Sequence, residues 1–323
     1  MCGPPARLPK SLKSTSSPLI VIVGPTGSGK SALALAVAEA LRGEIVNYDS
    51  VQLYRGLDIG SAKLPAAARR GIPHHLIDIA DFHTDLTAGT YADLARPVLA
   101  GIASRDRVPI LVGGTGFYLR ALLDGLSPAP ARDAQIRTRL TALRDRRPAT
   151  LHRFLRRFDP VAAGRIHPND HQKLIRAIEL TVVARQPASV TQNHPRQPLQ
   201  GFSVRKIGLA PDRPLLYAHL DARTECMFHT GLLDETSALL ATGAPPDAKA
   251  LQSLGYRQAV QFLLGQLPLA EAIRECQAKT RQYAKRQLTW FRAEPDVTWF
   301  SGFGTDPAVV AQAVSLCRPP ELR

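Results

Sequence analysis

Cysteine is scarce in this sequence, and its few positions are far apart. The 323 residues contain four cysteines, at Cys2, Cys226, Cys276 and Cys317. Their separations match neither the ligand spacing of a zinc site nor the framework of a small disulfide-stabilised domain. Two adjacent histidines, His74 and His75, lie in an apolar, strand-like run without a cysteine or acidic cluster nearby. We therefore expect reduced thiols, structural histidines and no metal site built from protein groups alone.

Long apolar runs are also absent. No segment approaches the roughly 20 apolar residues that a membrane-spanning helix needs. The first 17 residues lack the apolar stretch of a secretory signal peptide and are rich in Pro, Ser and Lys. We expect a disordered arm over residues 1–17, no membrane partner and a cytoplasmic location.

Acidic residues are outnumbered by basic ones. The chain has 41 Lys and Arg against 27 Asp and Glu, a net charge of +14. Residues 132–206 alone hold 16 Lys and Arg against 5 Asp and Glu, a net of +11, and their pattern is mainly helical. Clustered cations gain binding free energy by releasing counterions condensed on phosphates. We interpret this segment as a helical nucleic-acid-binding insertion; a surface hairpin with solvated arginines is the alternative.

The strongest local motif is a glycine-rich loop between a strand pattern and a helix pattern. Residues 24–31 match the P-loop pattern G-x-x-x-x-G-K-[ST]. In such a loop, backbone N–H groups and the helix N-terminus surround phosphate oxygens, Lys30 adds a charge and Ser31 can ligate Mg²⁺. The predicted phosphate-binding residues are Gly24, Pro25, Thr26, Gly27, Ser28, Gly29, Lys30 and Ser31. A glycine-rich turn without a ligand is the alternative.

Strand and helix patterns alternate around this loop. Strands are predicted at residues 18–23, 44–47 and 108–112, and helices from the loop to Arg42 and at 91–104, 214–242 and 269–292. Such alternation predicts an α/β fold, a P-loop NTPase-like core with a parallel sheet that binds ligands at the carboxyl ends of its strands. We expect the core over residues 18–127, the basic all-helical insertion over 128–206 and completion of the core over 207–323.

One expected feature of a nucleoside triphosphatase is missing. The strand at 108–112 reads Val-Pro-Ile-Leu-Val and has no acidic residue for a second metal contact or for water activation. An ordinary NTPase is therefore disfavoured. A P-loop kinase of a small molecule can also lack that residue and stays open.

Six sequence blocks together resemble one family. Residues 24–31, 49–60, 73–78, 113–118, 167–170 and 280–287 are similar, in order, to the signature blocks of bacterial tRNA dimethylallyltransferases, and the resemblance extends from about residue 18 to about residue 300. It implies transfer of a dimethylallyl group from dimethylallyl diphosphate to the N6 amine of the adenosine 3′ of the anticodon. The tRNAs are those that read codons beginning with U, and the product is N6-dimethylallyladenosine.

The resemblance also implies roles for single residues. Asp49 is the expected general base, with Thr115 beside the reacting amine and Gly113, Gly114 and Gly116 leaving room for a base. A P-loop with Mg²⁺, held by Ser31 and the substrate, would stabilise the negative charge on the departing diphosphate. Arg223 lies on an apolar stripe with Leu216, Leu220 and Met227, so it needs an anion, either the diphosphate or an internal carboxylate.

The acceptor adenosine must leave its stack to enter an enclosed site, so the RNA must be held by protein. The resemblance implies that the residues in contact with tRNA are Asp49, Ser50, Val51, Gln52, Thr115, Arg137, Gln172, Lys173, Leu174, Ile175, Arg176, Ser253, Leu254, Gly255, Tyr256 and Arg257. We expect a monomer.

Three other functions remain open at this stage. An adenylate dimethylallyltransferase would share the P-loop and the prenyl chemistry but would not need the +11 segment. A small-molecule kinase and a non-catalytic RNA-binding ATPase would both consume a nucleoside triphosphate.

Overall fold

The computed structural model describes residues 16–191 and 195–318. The chain forms two compact units: the first contains the residues up to Leu122 and those from Leu199 onward, and the second is Leu123–Pro198. Of the arm predicted over residues 1–17, residues 1–15 lie outside the described ranges, as does Cys2. Ser17 instead begins the first strand, because it pairs with Phe202.

A six-stranded parallel sheet forms the centre of the first unit. Its strands are β1 (Ser17–Val23), β2 (Gly43–Asn47), β3 (His74–His75), β4 (Val108–Val112), β5 (Phe202–Leu209) and β6 (Val297–Phe300), in the order β3-β2-β4-β1-β5-β6. β1 lies between β4 and β5 and is buried from Leu19 to Val23, as expected of a strand covered on both faces. The predicted α/β class with a parallel sheet is confirmed.

Three helices precede the second unit: α1 (Lys30–Leu41), α2 (Ala88–Ala103) and α3 (Gly116–Leu123). α1 buries Leu33, Leu35 and Val37 in the same core cluster as Ile20 and Ile22 of β1. This packing fixes the glycine-rich loop between β1 and α1, because both of its ends belong to buried elements.

All regular secondary structure among the described residues of the second unit is helical. It contains α4 (Ala134–Arg146), α5 (Ala149–Phe158), α6 (Pro160–Arg165), α7 (His171–Ala184) and α8 (Ala188–Thr191). Its core includes Leu151, Leu155 and Ile178. Residues 202–206, which the sequence interpretation assigned to the insertion, belong to β5 because they pair with β1. The boundary therefore falls near residue 199 rather than residue 206.

The core of the second unit also corrects part of the predicted tRNA-contact set. Leu174 and Ile175 on α7 are 0% and 4% exposed and pack in this core, so they offer no side-chain surface to an RNA. The family resemblance implies RNA contact for the whole run of residues 172–176, whichever way each side chain faces. A contiguous block on a helix necessarily has residues on both faces, and only one face reaches solvent.

A buried glutamate binds two more of the predicted contact residues. Glu179 is fully buried and accepts hydrogen bonds from Arg176 (2.8 Å), Arg137 (3.1 Å) and the backbone N–H of Asp133 (2.7 Å). Burial opposes ionisation of Glu179, but these hydrogen bonds and positive charges lower its pKa overall. Arg176 also donates to the carbonyl of Pro130. Both arginines are thus partners of an internal carboxylate, and their side chains remain 33% and 31% exposed; their contact with tRNA stays a prediction.

Five helices complete the first unit: α9 (Arg213–His229), α10 (Leu232–Ala241), α11 (Tyr256–Leu263), α12 (Leu269–Arg292) and α13 (Pro307–Cys317). The single helix pattern predicted over residues 214–242 is in fact two helices: α9 ends with Thr230 as its C-cap, and Gly231, with φ 127°, is the N-cap of α10. Cys226, Cys276 and Cys317 are free thiols. Within the described ranges, no helix has the length and apolarity needed to cross a membrane.

The Glu179 cluster leads to a stability prediction. Arg176→Ala should destabilise the second unit by about 1–3 kcal/mol, because a fully buried carboxylate loses one of its two guanidinium partners. Lys173→Ala is the matched control on the same helix: Lys173 pairs with Asp170 but its side chain is 72% exposed, so its loss should cost less than about 0.5 kcal/mol. Urea denaturation measures the loss of unfolding free energy in each variant, and hydrogen exchange of peptides from α4 and α7 shows whether the loss lies in the second unit. Equal effects of the two substitutions would contradict a structural role for Arg176.

Candidate active site

Three chain segments meet at one edge of the sheet. β4 pairs in parallel with β1 on one side and with β2 on the other, so the segments after Val23, Asn47 and Val112 leave the sheet side by side. Tyr48, fully buried, joins all three strand ends: its N–H donates to the carbonyl of Val112 (3.0 Å) and its hydroxyl to that of Ile22 (2.7 Å). The glycine-rich loop, Asp49 and the segment 113–116 are therefore neighbours.

The glycine-rich loop has the backbone form expected of a phosphate cradle. Gly29 has φ 85°, and a Cβ atom there would lie 2.8 Å from the backbone nitrogen of Gly304, so only glycine fits. Gly304 donates to the carbonyl of Ser28 and holds the loop from outside. No described side chain caps the N-terminus of α1, so its first-turn N–H groups can serve an anion.

Lys30 lies inside this loop. Its Nζ atom donates to the carbonyl of Pro25 at 2.8 Å. Burial lowers the pKa of Lys30 to about 8; the negative charge of Asp49 opposes this shift and the positive charge of Arg223 adds to it. A lysine that is poorly solvated and near another cation is stabilised when an anion binds.

Arg223 reaches the same loop from α9. Its Nη2 atom donates to the Thr26 hydroxyl at 3.0 Å, while its buried Nε atom has no partner among the described residues. Burial lowers the pKa of Arg223. The sequence left open whether an internal carboxylate neutralises this side chain; within the described residues no carboxylate lies within ion-pair distance of it. A buried guanidinium with an unused donor fits a bound anion.

Asp49 and Thr115 lie on adjoining loops. The Asp49 N–H donates to Asn47 (2.9 Å), and its Oδ1 atom accepts from the N–H of Val51 (2.9 Å), so the carboxylate is held in one orientation. The Thr115 hydroxyl accepts from the N–H of Ser50 (3.0 Å) and donates to the Ser50 hydroxyl (3.1 Å). Thr115 therefore fixes the residue next to Asp49.

Gln287 on α12 is a site residue that the sequence interpretation missed. Its Oε1 atom accepts from the N–H of Thr26 (2.7 Å) and its Nε2 atom donates to the carbonyl of Gly114 (2.8 Å). It thus joins the P-loop to the loop after β4. The available signal was a glutamine on the buried face of α12, one turn before the buried Phe291. Tyr283, one turn earlier, also contacts the Gly114 carbonyl, at 3.4 Å.

Gly114 lies close to two side chains of the site. A Cβ atom at Gly114 would lie 2.5 Å from Nε2 of Gln287 and 2.9 Å from Oδ2 of Asp49. The missing side chain thus makes room for these two protein groups. Gly114 also lines the P-loop cavity, and the expectation that it leaves space for a substrate base stays a prediction.

Two cavities of the first unit share several of these residues. The first, which we call the P-loop cavity, has a volume of about 530 Å³ and is lined by Lys30, Ser31, Gln287 and other residues of the three loops. The second, the adjoining cavity, has a volume of about 280 Å³ and includes the apolar side chains Met227, Phe228, Leu232 and Leu254. The residues common to both linings are Thr26, Asp49, Ser61, Arg223 and Tyr283.

The remaining residues predicted to contact tRNA are of three kinds: some line a cavity, some are exposed to solvent and one is buried. Gln52 lines the P-loop cavity, and Val51, Ser253, Leu254 and Gly255 line the adjoining cavity. Gln172, Lys173 and Arg257 are exposed. Tyr256 is fully buried, and its hydroxyl is bonded to Glu235 and to the N–H of Gly60, so its side chain cannot contact RNA directly.

The oxygen groups of the P-loop cavity fit Mg²⁺ only in part. Ser31 is exposed in the first turn of α1, and the Asp49 carboxylate borders the same cavity. Over the described ranges, no group of three or more His, Cys, Asp and Glu side chains could hold a metal ion. Mg²⁺ commonly binds through one or two protein oxygens together with waters and substrate phosphates, and these residues suit that mode.

Comparisons with known proteins agree on one family. The model of the IPP transferase family matches residues 52–294, and that of the isopentenyl transferase family matches residues 17–74. The chain is 54% identical over 292 residues to a tRNA dimethylallyltransferase of Solibacter usitatus, covering 90% of this chain and 95% of the relative. It is 51% identical over 309 residues to that of Koribacter versatilis, covering 94% and 99%.

Solved structures agree with the sequence relatives. The full-length tRNA isopentenylpyrophosphate transferase of Bacillus halodurans is similar with a TM-score of 0.69 and 36% identity, covering 93% of this chain and 95% of that one. A eukaryotic dimethylallyltransferase acting on tRNA is similar with a TM-score of 0.78 and 26% identity, covering 93% and 79%. The resemblance inferred from the six sequence blocks is confirmed. The chain therefore belongs to the IPP transferase family, that of the tRNA dimethylallyltransferases.

Proposed function

We propose that this chain transfers the dimethylallyl group of dimethylallyl diphosphate to the N6 amine of the adenosine 3′ of the anticodon, in tRNAs that read codons beginning with U. The observation that carries the proposal is the position of Asp49, which borders both a cavity lined by a P-loop and a more apolar cavity lined by predicted tRNA-contact residues. The names of the relatives support the same reaction.

In this proposal the diphosphate binds in the P-loop cavity. Breaking the bond between the allylic carbon and the diphosphate oxygen moves negative charge onto the leaving group. Lys30, the unused Nε donor of Arg223 and the N–H groups at the start of α1 lie where they can stabilise that charge. Ser31 would hold Mg²⁺ together with the diphosphate, and the ion would supply further positive charge.

The acceptor amine is a weak nucleophile and must lose a proton as the new carbon–nitrogen bond forms. Asp49 is suited to orient the amine and to accept that proton, because Oδ1 is held by Val51 and Gln287 and Tyr283 fix the loop beside Oδ2. The proton goes to the Asp49 carboxylate and the bonding electrons of the broken bond go to the diphosphate. No water needs activation, which agrees with the absence of an acidic residue at the end of β4.

The acceptor base would enter through the adjoining cavity. Its lining includes Val51, Ser253, Leu254 and Gly255, which the family resemblance associates with tRNA. The basic second unit would hold the rest of the RNA through exposed cations, of which Lys173 is one example. The chain need only act as a monomer, since both cavities are lined by one copy.

A two-acceptor assay tests the function. Purified protein with Mg²⁺, dimethylallyl diphosphate and unmodified tRNA should form N6-dimethylallyladenosine without ATP, because the P-loop serves the prenyl donor. Nucleoside digestion and mass spectrometry measure the product. Prenylation of free AMP but not of tRNA would favour an adenylate dimethylallyltransferase, and a requirement for ATP turnover would favour a kinase or an ATPase.

Substituting Asp49 tests the proposed base. Asp49→Asn should lower kcat by about 10²–10⁴-fold, the usual contribution of a general base, while tRNA affinity stays within about threefold. The amide keeps the shape and the hydrogen bond from Val51 but cannot accept a proton. Single-turnover kinetics and filter binding separate the two effects. Parallel losses of turnover and of tRNA affinity would assign Asp49 to binding or to folding.

The lowered pKa of Lys30 gives a pH prediction. In the free enzyme Lys30 carries its charge below a pKa of about 8 and loses it above. The kcat/KM for dimethylallyl diphosphate, which reports the free enzyme, should therefore decline as pH rises through about 8. Lys30→Arg should be less active, but its kcat/KM should not fall over this pH interval because the guanidinium stays charged. The same decline in both proteins would assign the titration to another group.

A further inference from the structure

A short wall segment, residues 58–62, borders both cavities. Gly60 and Ser61 line the adjoining cavity, and Ser61 and Ala62 line the P-loop cavity. The carbonyl of Ser61 accepts a hydrogen bond from the side chain of Gln52 at 3.0 Å. Since Gln52 follows Asp49 by only three residues, the position of the wall segment helps to set the surroundings of the proposed base.

Glu235 on α10 binds the backbone of this segment. Its carboxylate accepts from the N–H groups of Asp58 (3.1 Å) and Ile59 (2.9 Å) and from the hydroxyl of Tyr256. The next N–H, that of Gly60, donates to the Tyr256 hydroxyl at 3.1 Å. Glu235 and Tyr256 thus satisfy three consecutive N–H groups. Neither side chain is part of the lining of the P-loop cavity or of the adjoining cavity.

Close packing makes this contact sensitive to small changes. A Cβ atom at Gly60 would lie 2.5 Å from the ring of Tyr256, which is itself fully buried. Burial raises the pKa of Tyr256, and its hydrogen bond to Glu235 raises it further, so the hydroxyl keeps its proton. The hydroxyl can therefore donate to Glu235 and accept from Gly60 at the same time.

Lys63 directly follows the wall segment and also contacts its first residue, Asp58. Its buried ammonium group contacts the carboxylates of Asp58 (2.5 Å) and Asp78 (2.6 Å) and the carbonyl of Tyr54 (2.9 Å). Both ends of the wall segment thus have contacts that do not involve Glu235. Loss of Glu235 should therefore release the middle of the segment, at Ile59 and Gly60, without unfolding its ends.

We propose that Glu235, together with the Tyr256 hydroxyl, is a positioning residue for the acceptor base: it holds the wall segment where Gln52 and the adjoining cavity receive the adenosine. This inference rests on the proposed function. It assigns Glu235 to acceptor alignment and not to diphosphate binding, because its contacts are with the wall segment and none is with the glycine-rich loop.

Glu235→Gln is the test, since the amide has nearly the same shape but lacks the charge and one acceptor oxygen. The kcat/KM for tRNA should fall by about tenfold or more, because small displacements of a bound reactant have large effects on rate. The KM for dimethylallyl diphosphate should change less than about twofold. Asp234→Asn, at the exposed neighbouring position on α10, is the matched control and should leave both values unchanged.

Two further measurements separate positioning from general stability. Hydrogen exchange in Glu235→Gln should be faster in peptides that cover residues 52–63 and unchanged in β1 and α1. Tyr256→Phe should shift the tRNA kinetics in the same direction. In the double variant, the loss of kcat/KM for tRNA, expressed as a free energy, should be smaller than the sum of the two single losses. Both side chains act on the same N–H groups, so their effects overlap.

Several outcomes would overturn the inference. An unchanged kcat/KM for tRNA in Glu235→Gln would contradict it. Equal losses of kcat/KM for tRNA and for dimethylallyl diphosphate, together with a lowered melting temperature, would show that Glu235 only stabilises the fold. Failure of the proposed function itself looks different, because the unsubstituted protein would then form no prenylated tRNA and no variant could be compared with it.

Discussion

The parallel pairing of β4 with β1 and β2 is the constraint on which the site depends. Parallel strands end at the same edge of a sheet, so three segments far apart in sequence become neighbours there. The glycine-rich loop provides phosphate-binding groups, Asp49 provides a carboxylate, and Gly114 lies between Asp49 and α12. Tyr48, directly after β2, makes the arrangement rigid because it bonds to the ends of β4 and β1. The chemistry proposed for the site follows from this convergence.

Helices from the carboxy-terminal half of the chain then fix the loops that the sheet brings together. Gln287 joins the P-loop to the loop after β4, and Glu235 holds the wall segment through consecutive N–H groups. Each contact connects residues more than 170 positions apart in sequence. Loops bound in this way lose little further entropy when a substrate binds, which favours both affinity and correct alignment.

The parts of the site that sequence could predict are those whose signal is local. The P-loop has a fixed spacing and its own strand and helix, and Asp49 directly follows a strand. The roles of Gln287 and Glu235 were not predictable, since they depend on hydrogen bonds across the fold. Burial was the second obstacle: the family resemblance implies tRNA contact for the whole run 172–176, but in the folded unit the side chain of Leu174 faces the core.

Charge provides the last link between fold and function, because the two units use their cations differently. In the second unit, Arg137 and Arg176 neutralise the buried Glu179, so its net charge overstates the arginines free to bind phosphate. In the first unit, Lys30 and Arg223 are poorly solvated, and the described residues offer Arg223 no carboxylate. Folding has already removed much of their water, so the proposed diphosphate would gain their attraction without that cost. The same attraction would grow as the leaving group acquires charge. An interaction that is stronger in the transition state than with the bound donor lowers the barrier to prenyl transfer, whereas an equal interaction in both states would only tighten binding.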